Sequence, residues 1–291
     1  MQLDTARLAF GPEALPWLLA LLVLVIGAAT LEGLVQTFVR RVPYDWRAYG
    51  ASLGDALGRR AVDALGLSIA APVLAWAFAH RVQSLSLSTP GAFALLFVGQ
   101  EFLYYWYHRA AHRVRWFWAT HAVHHSPNEL TLAAALRLGW TGKLSGSAIF
   151  FAPLVWLGFP PVAVLATLGA NLLYQFWLHA PWMPRLGPLE WVLNTPTHHK
   201  VHHASNPEYL DCNYGGVLIV FDRLFGTFID LRDDVLPRYG LTTPLVTHNP
   251  IRIALHGWFA LARDLQAASG LRAKARVLFG PPAPEHPSSR A

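Results

Sequence analysis

Ten of the 14 histidines stand in four short groups. His108 and His112 form a pair four residues apart, and His121, His124 and His125 form a triad. His179 stands alone, and His198, His199, His202 and His203 close the series. On a helix turning about 100° per residue, positions i and i+4 project the same way, about 6 Å apart. His108 and His112 therefore make one ligand pair. The rings of His121, His124 and His125 fall within an arc of about 100°, as do those of His199, His202 and His203. Three imidazoles aimed to one side of a helix suit metal chelation, and an aliphatic helix has no other use for them. His198 points away from that arc, which favours a supporting place behind the ligands.

His108, His112, His121, His124, His125, His179, His199, His202 and His203 make nine candidate metal-binding and catalytic imidazoles. One zinc takes four ligands and one octahedral ion at most six, so nine imply two metal ions. Neutral imidazole suits zinc, copper, iron and nickel, and ligand type leaves the metal open. The single cysteine, Cys212, excludes thiolate sites, iron–sulfur clusters and disulfides. The chemistry must run on histidine and oxygen ligands. Glu101 lies seven residues before His108 on nearly the same helical face, placed to orient a ligand ring or to pair with an arginine. Asp211 and Asn213 are further candidates to stand behind a ligand. Asp222 with Arg223 reads as an ion pair or a backbone clamp. His80, His248, His256 and His286 fit no pattern and default to the surface.

The elements that must position these residues are greasy. Of 291 residues 54% are apolar and 14% charged, with a mean hydropathy of +0.31. A soluble chain carries about a quarter charged residues. This excludes a disordered chain or a coiled coil and argues against an ordinary cytosolic enzyme. Four regions are apolar enough for a bilayer: residues 15–38, 64–79 (broken by Pro72), 91–107 and 144–178. The last would make about 50 Å of helix, too long for one crossing. Gly158, Phe159, Pro160 and Pro161 break it into a helical hairpin. The expected fold is all-α: three membrane spans plus a hairpin, with a histidine-rich catalytic cap.

If the first three spans cross in turn, Arg40, Arg41, Arg47, Arg59 and Arg60 share a side with every charge after Tyr107. Only Arg7 and Arg81 of the 23 basic residues then fall opposite, and the positive-inside rule makes the cap cytoplasmic. The expected division is an N-terminal membrane region (1–90), a catalytic domain (91–230) and a C-terminal amphipathic segment with a disordered tail (231–291). Residues 251–279 read either as a helix on an anionic leaflet or as one packed on the domain. The net charge of +6 does not make a nucleic-acid binder, since no soluble basic face with exposed aromatics is evident.

The motifs resemble those of the fatty acid hydroxylase and sterol desaturase superfamily of membrane di-iron proteins. The likeness covers about residues 101–228. It rests on His108-x3-His112, His121-x2-His124-His125-Ser126, Arg137, His179 and Thr197-His198-His199-Lys200-Val201-His202-His203. Residues 211–216 and 221–228 complete it, closest to the sterol-desaturase-like branch and the alkylglycerol monooxygenases. Phe221 stands where many relatives carry Trp, and Cys212 where many carry Lys. The resemblance implies two iron ions, zinc being able to replace them in purified protein, with dioxygen as co-substrate. It also implies a fatty acyl, ether-lipid or sterol-like substrate that is hydroxylated or desaturated. No flavin, haem or dinucleotide fingerprint is present. Electrons are therefore expected from an external donor such as a ferredoxin or a cytochrome b5-like protein. The setting implied is a multi-pass protein of a bacterial inner membrane. A membrane zinc hydrolase or a metal transporter are the competing expectations; ligands at span ends rather than within spans count against transport.

Overall fold

Proline, glycine and short capping side chains divide the chain. The computed structural model describes residues 15–282, which form helices and loops with two isolated β-bridges and no strand. Helix α1 (Leu15–Leu34) runs through a π turn at Val35–Val39 and ends at Arg40 and Arg41. Its one carboxylate, Glu32, is buried, accepting from the Leu132 amide (2.7 Å) and the Trp182 indole (2.9 Å). That charge ties the apolar helix to the cap. Asp45 caps α2 (Trp46–Asp63) by accepting from the amides of Arg47 and Ala48.

The second expected span is shorter than the sequence suggested. Helix α3 (Ala70–Ala79) has 10 residues, and Pro72 lies in its first turn, where a missing amide costs nothing. About 15 Å of helix is half a bilayer. Helix α4 (Pro90–Arg113) starts on a Thr89 cap and carries Glu101, His108 and His112 inward. A short α5 (Arg115–His121) follows. The expected hairpin turns at the predicted place but has unequal arms. Its first arm is cut into α6 (Gly142–Ser145), a 3-10 turn at Ser147–Phe151 and α7 (Ala152–Leu157); its second is the continuous α8 (Pro161–Leu178). Gly158 closes the turn at φ 126°, where a Cβ would meet the Gln83 carbonyl at 2.3 Å. Among the described residues, Pro16–Val39 and Pro161–Leu178 are long and apolar enough to cross a membrane.

Helices α9 (Pro196–His202), α10 (Val220–Leu224), α11 (Pro250–Ala267) and α12 (Leu271–Phe279) complete the chain. Of the two expectations for residues 251–279, α11 follows the packed one. It buries Ile253, Ala254 and Leu261 against α5 and α2. Gly257 allows this approach, since a Cβ there would lie 2.6 Å from the Ala119 carbonyl. α12 buries nothing and leaves Leu271 and Phe279 exposed. Arg7, His286 and the predicted tail from residue 283 on lie outside the described residues. The apolar core, with Leu96, Tyr104, Phe151, Leu154, Phe159 and Val164, joins α3, α4, α7 and α8.

Candidate metal centre

The nine predicted histidines gather where helices end. His108 and His112 occupy the last two turns of α4, and His121 closes α5. His124 and His125 sit in the turn that follows, so the first triad straddles a helix end rather than lying on one helix. His179 is the C-terminal cap of α8; His199 and His202 lie on α9, and His203 caps it. The C-terminal ends of helices carry partial negative charge, a favourable setting for a cation.

The rings converge as two adjacent groups. His108, His112, His121, His125 and His202 offer ligand atoms within 4.8 Å of one another, and His124, His179, His199 and His203 do the same. The groups abut: the His125 and His203 rings stack at 4.4 Å between centroids. In the group of five, His121 Nε2 lies 3.0 Å from His108 Nε2, 3.1 Å from His112 Nε2 and 3.2 Å from His125 Nε2. In the group of four, His199 Nε2 lies 3.0 Å from His203 Nε2 and 3.3 Å from His179 Nε2.

These contacts test whether a metal fits. His108 Nδ1 donates to the Tyr214 carbonyl (2.8 Å) and His202 Nδ1 to the Cys212 carbonyl (2.9 Å). His124 Nδ1 donates to the Arg137 carbonyl (2.9 Å) and His179 Nδ1 to that of Gln175 (2.9 Å). Each such bond fixes the proton on Nδ1 and leaves Nε2 as a bare lone pair. The Nε2 of His202 is buried with no hydrogen-bond partner at all. A proton on His121 Nε2 could serve only one of its three Nε2 neighbours, so nitrogens this crowded favour a cation among them, and about 3 Å is the edge of an octahedron with metal–nitrogen bonds of about 2.1 Å. The residues fit metal ions. Burial holds the cap imidazoles below their ordinary pKa, His124 down to about 4, which keeps them neutral as ligands must be.

The supporting candidates have sharper places. Asp211 Oδ1 lies 3.7 Å from His112 Nδ1, and its other oxygen accepts from Arg113 at 2.7 Å. Burial alone would raise the Asp211 pKa, but His112 and Arg113 hold it below the usual carboxylate value. Glu101 reaches no histidine and no arginine. It accepts from the amides of Val217 (2.7 Å) and Leu218 (2.9 Å) and from Asn171 (2.5 Å). Asn171 in turn accepts from Gln175, which accepts from the Tyr104 hydroxyl. Asn213, at φ 54°, donates to the His198 and Ile229 carbonyls and touches no ring of either group. His198 is buried outside both groups, against Phe228 at 5.2 Å. Asp222 is the backbone clamp the sequence suggested: it accepts from the Tyr214 and Gly215 amides and from Thr227, each at 2.7 Å. Arg223 does not pair with it, lying instead 3.6 Å over the Phe228 ring.

What the sequence did not show is the set of backbone carbonyls that orient the rings. A carbonyl has no residue-type signature. Trp118, packed 5.3 Å from the His112 ring and 5.6 Å from that of His125, was equally hidden.

Two cavities meet the centre from different sides. One, of about 270 Å³, is lined by His108, His121, His124 and His179 and by apolar residues including Phe117, Phe151, Leu168 and Phe176. The other, of about 260 Å³, reaches His112, His125, His202 and His203 among Asp211, Ser205, Thr242 and Arg115. Each cavity touches histidines of both groups.

Known proteins supply an independent comparison. The fatty acid hydroxylase family matches residues 93–227. An alkylglycerol monooxygenase of Xenopus tropicalis is 40% identical over 217 residues, 75% of this chain and 48% of that protein. Its human counterpart is 42% identical over 203 residues, 70% of this chain and 45% of that one. An ornithine lipid hydroxylase of Rhizobium tropici is 35% identical over 129 residues, 44% of this chain and 39% of that protein. The chain thus spans about half the length, or less, of these relatives. No solved structure matches it significantly. Histidine pattern, matched region and relatives agree: through residues 93–227 the chain belongs to the fatty acid hydroxylase and sterol desaturase superfamily.

Proposed function

We propose that this chain is a membrane-bound, dioxygen-dependent lipid oxidase whose two histidine groups hold two iron ions. Its substrate is a lipid in which one C–H bond is hydroxylated or desaturated, an alkylglycerol-type ether lipid being the first candidate. The observation that carries the reading is contiguity: bare imidazole lone pairs of both groups open on one apolar cavity. The metal's part is to activate dioxygen into an oxidant strong enough for an unactivated C–H bond, which no side chain can attack.

The chain's own residues do the positioning. Phe117, Phe151, Leu168 and Phe176 hold an alkyl chain against the histidine wall and exclude water from it. The carbonyls of Tyr214, Cys212, Arg137 and Gln175 lock four rings in the ligating tautomer. Tyr104, 5.4 Å from the His108 ring, donates its hydroxyl hydrogen bond to Gln175 and so offers the centre its ring rather than a competing ligand. The alkylglycerol monooxygenases, matched over 70–75% of this chain, support the ether-lipid choice.

Helices α1 and α8 cross the membrane in this reading, with the cap on the cytoplasmic side that the basic residues favour. An external electron donor, a ferredoxin or cytochrome b5-like protein, supplies the reducing equivalents.

The deciding experiment combines metal analysis of the purified protein with turnover of 1-O-hexadecylglycerol under labelled dioxygen. Two irons per chain and dioxygen-dependent loss of substrate, with label in any alcohol formed, are expected. Turnover supported by zinc without dioxygen or reductant would identify a hydrolase and overturn the proposal.

A further inference from the structure

The apolar cavity has a polar end that C–H oxidation does not require. Arg59, Ser68 and Lys143 line it where α2, the connection to α3 and the start of α6 come together. The Arg59 side chain is only 23% exposed, whereas that of Arg60 is 72% exposed. A half-buried guanidinium brings five N–H donors toward the cavity, and these favour an acceptor there. Arg137, which is buried, meets its own demand with Ser52, Ser126 and the Ala48 carbonyl. Arg59 does not. No described residue accepts a hydrogen bond from it; its nearest carboxylate oxygen, Asp63 Oδ2, lies 4.0 Å away, beyond hydrogen-bond reach, and Asp55 and Tyr107 act on it only through space. The other Asp63 oxygen is already engaged by Lys143 at 3.1 Å. The result is a cation lining a largely apolar cavity that four histidines also line, with an ion-pair partner at 4.0 Å but no hydrogen-bond acceptor from the protein.

We propose that Arg59, assisted by Lys143, docks the oxyanion head group of a single-chain amphiphile whose alkyl tail runs along the cavity to the histidine wall. The head group is a phosphate or a carboxylate, both of which match a guanidinium fork. This deepens the lipid-oxidase reading and rests on it for the fate of the tail, though not for the anchoring itself. Its chemical consequence is that the oxidised carbon is counted from the head group: a fixed anchor at one end and fixed metals at the other select a position along the tail. Neutral lipids of the same length would enter without that register.

The test uses the full chain, free of metal, in an uncharged detergent. Equilibrium binding is measured for tritiated 1-O-hexadecylglycerol phosphate, hexadecanoate and neutral 1-O-hexadecylglycerol, with inorganic phosphate as a control. Arg59→Gln should weaken both anionic amphiphiles about tenfold or more while moving the neutral one less than about twofold. Arg59→Lys, which keeps the charge but not the fork, should recover only part of the affinity lost in Arg59→Gln, and Lys143→Gln should cost about threefold, since that side chain is half exposed and already paired.

Equal weakening of charged and neutral amphiphiles by Arg59→Gln would show a structural role and end the proposal. So would equal affinity of the native chain for the three amphiphiles. Inorganic phosphate binding as tightly as the alkyl phosphate would assign the site to free phosphate instead of a head group. Turnover is read separately. A rise in KM for anionic substrates at unchanged kcat supports the anchor. Lack of any oxidation would sink the oxidase reading and leave the binding result to stand alone.

Discussion

The two histidine groups use the same ligand atom but are held by different surroundings. Behind the group of five lies the segment 211–216, with charged company: Asp211 beside His112, Arg113 on Asp211, and Asp222 pinning the amides of Tyr214 and Gly215. Directly behind the group of four lie neutral groups, the Gln175 and Arg137 carbonyls; the nearest carboxylate in that direction, Glu101, reaches Gln175 only through Asn171. One group also includes His121, which is half-buried, while every member of the other is buried. A charged, partly open surround permits modulation by side chains; a neutral, closed one is set by the main chain. The two sites should therefore differ in how substitution and pH affect them.

Removing a ligand is the harshest way to break the comparison. His202→Ala and His179→Ala should each abolish turnover, by on the order of a thousandfold or more, yet each should strip a different single metal ion. Metal analysis and iron spectroscopy check this, and loss of both ions in either variant would show that the groups form one site. Asp222→Ala comes next. It leaves two buried amides and the Thr227 hydroxyl without their acceptor, at a cost of about 3 kcal/mol in denaturant titrations. Because the Tyr214 carbonyl moves with that segment, metal should be lost first from the group of five.

Acidification should act on both groups, since burial lowers the pKa of His112 in the group of five as it does that of His124 in the group of four, and on His198 outside them. Burial, the largest cause in each case, lowers the pKa of His124 and of His198 from 6.5 to about 4. Below pH 6.5 the unfolded chain binds protons that the folded one refuses, so stability is full above that pH and is lost as pH falls toward 4. Thermal unfolding of metal-free protein between pH 7 and 4 should show a steady fall, and a flat profile would contradict it. Asp211→Asn is the mildest probe. It should weaken metal binding in the group of five about 10- to 100-fold, leave the group of four untouched and spare the fold. Equal weakening of both, in metal titrations, would erase the distinction.

Side chains and main chain differ in how far local sequence reveals them. The histidines were legible because ligation uses side chains, and a helical period of i, i+3 and i+4 converts spacing into direction. That reading held across helix ends: His124 and His125 lie in a turn after α5, yet the His124 amide still bonds to the His121 carbonyl (2.9 Å), which preserves the helical arc. Glu101 was noticed as an expensive charge, but its partners, the amides of Val217 and Leu218, lie over a hundred residues away and have no side-chain signature. Span lengths were overestimated for residues 64–79, because apolar composition does not distinguish α3 from the connection that precedes it.

By itself, the sequence determined which side chains could bind metal, that nine of them exceed one ion's needs, and that grease surrounds them. Those properties are written in residue type and local period. The tertiary structure alone decided the partition into five and four, the carbonyls that aim each ring, and the cavity joining Arg59 to the histidine wall. Each of these depends on which distant helix ends meet, and that is fixed by packing among α2, α4, α5, α8 and α9 rather than by any one segment's composition.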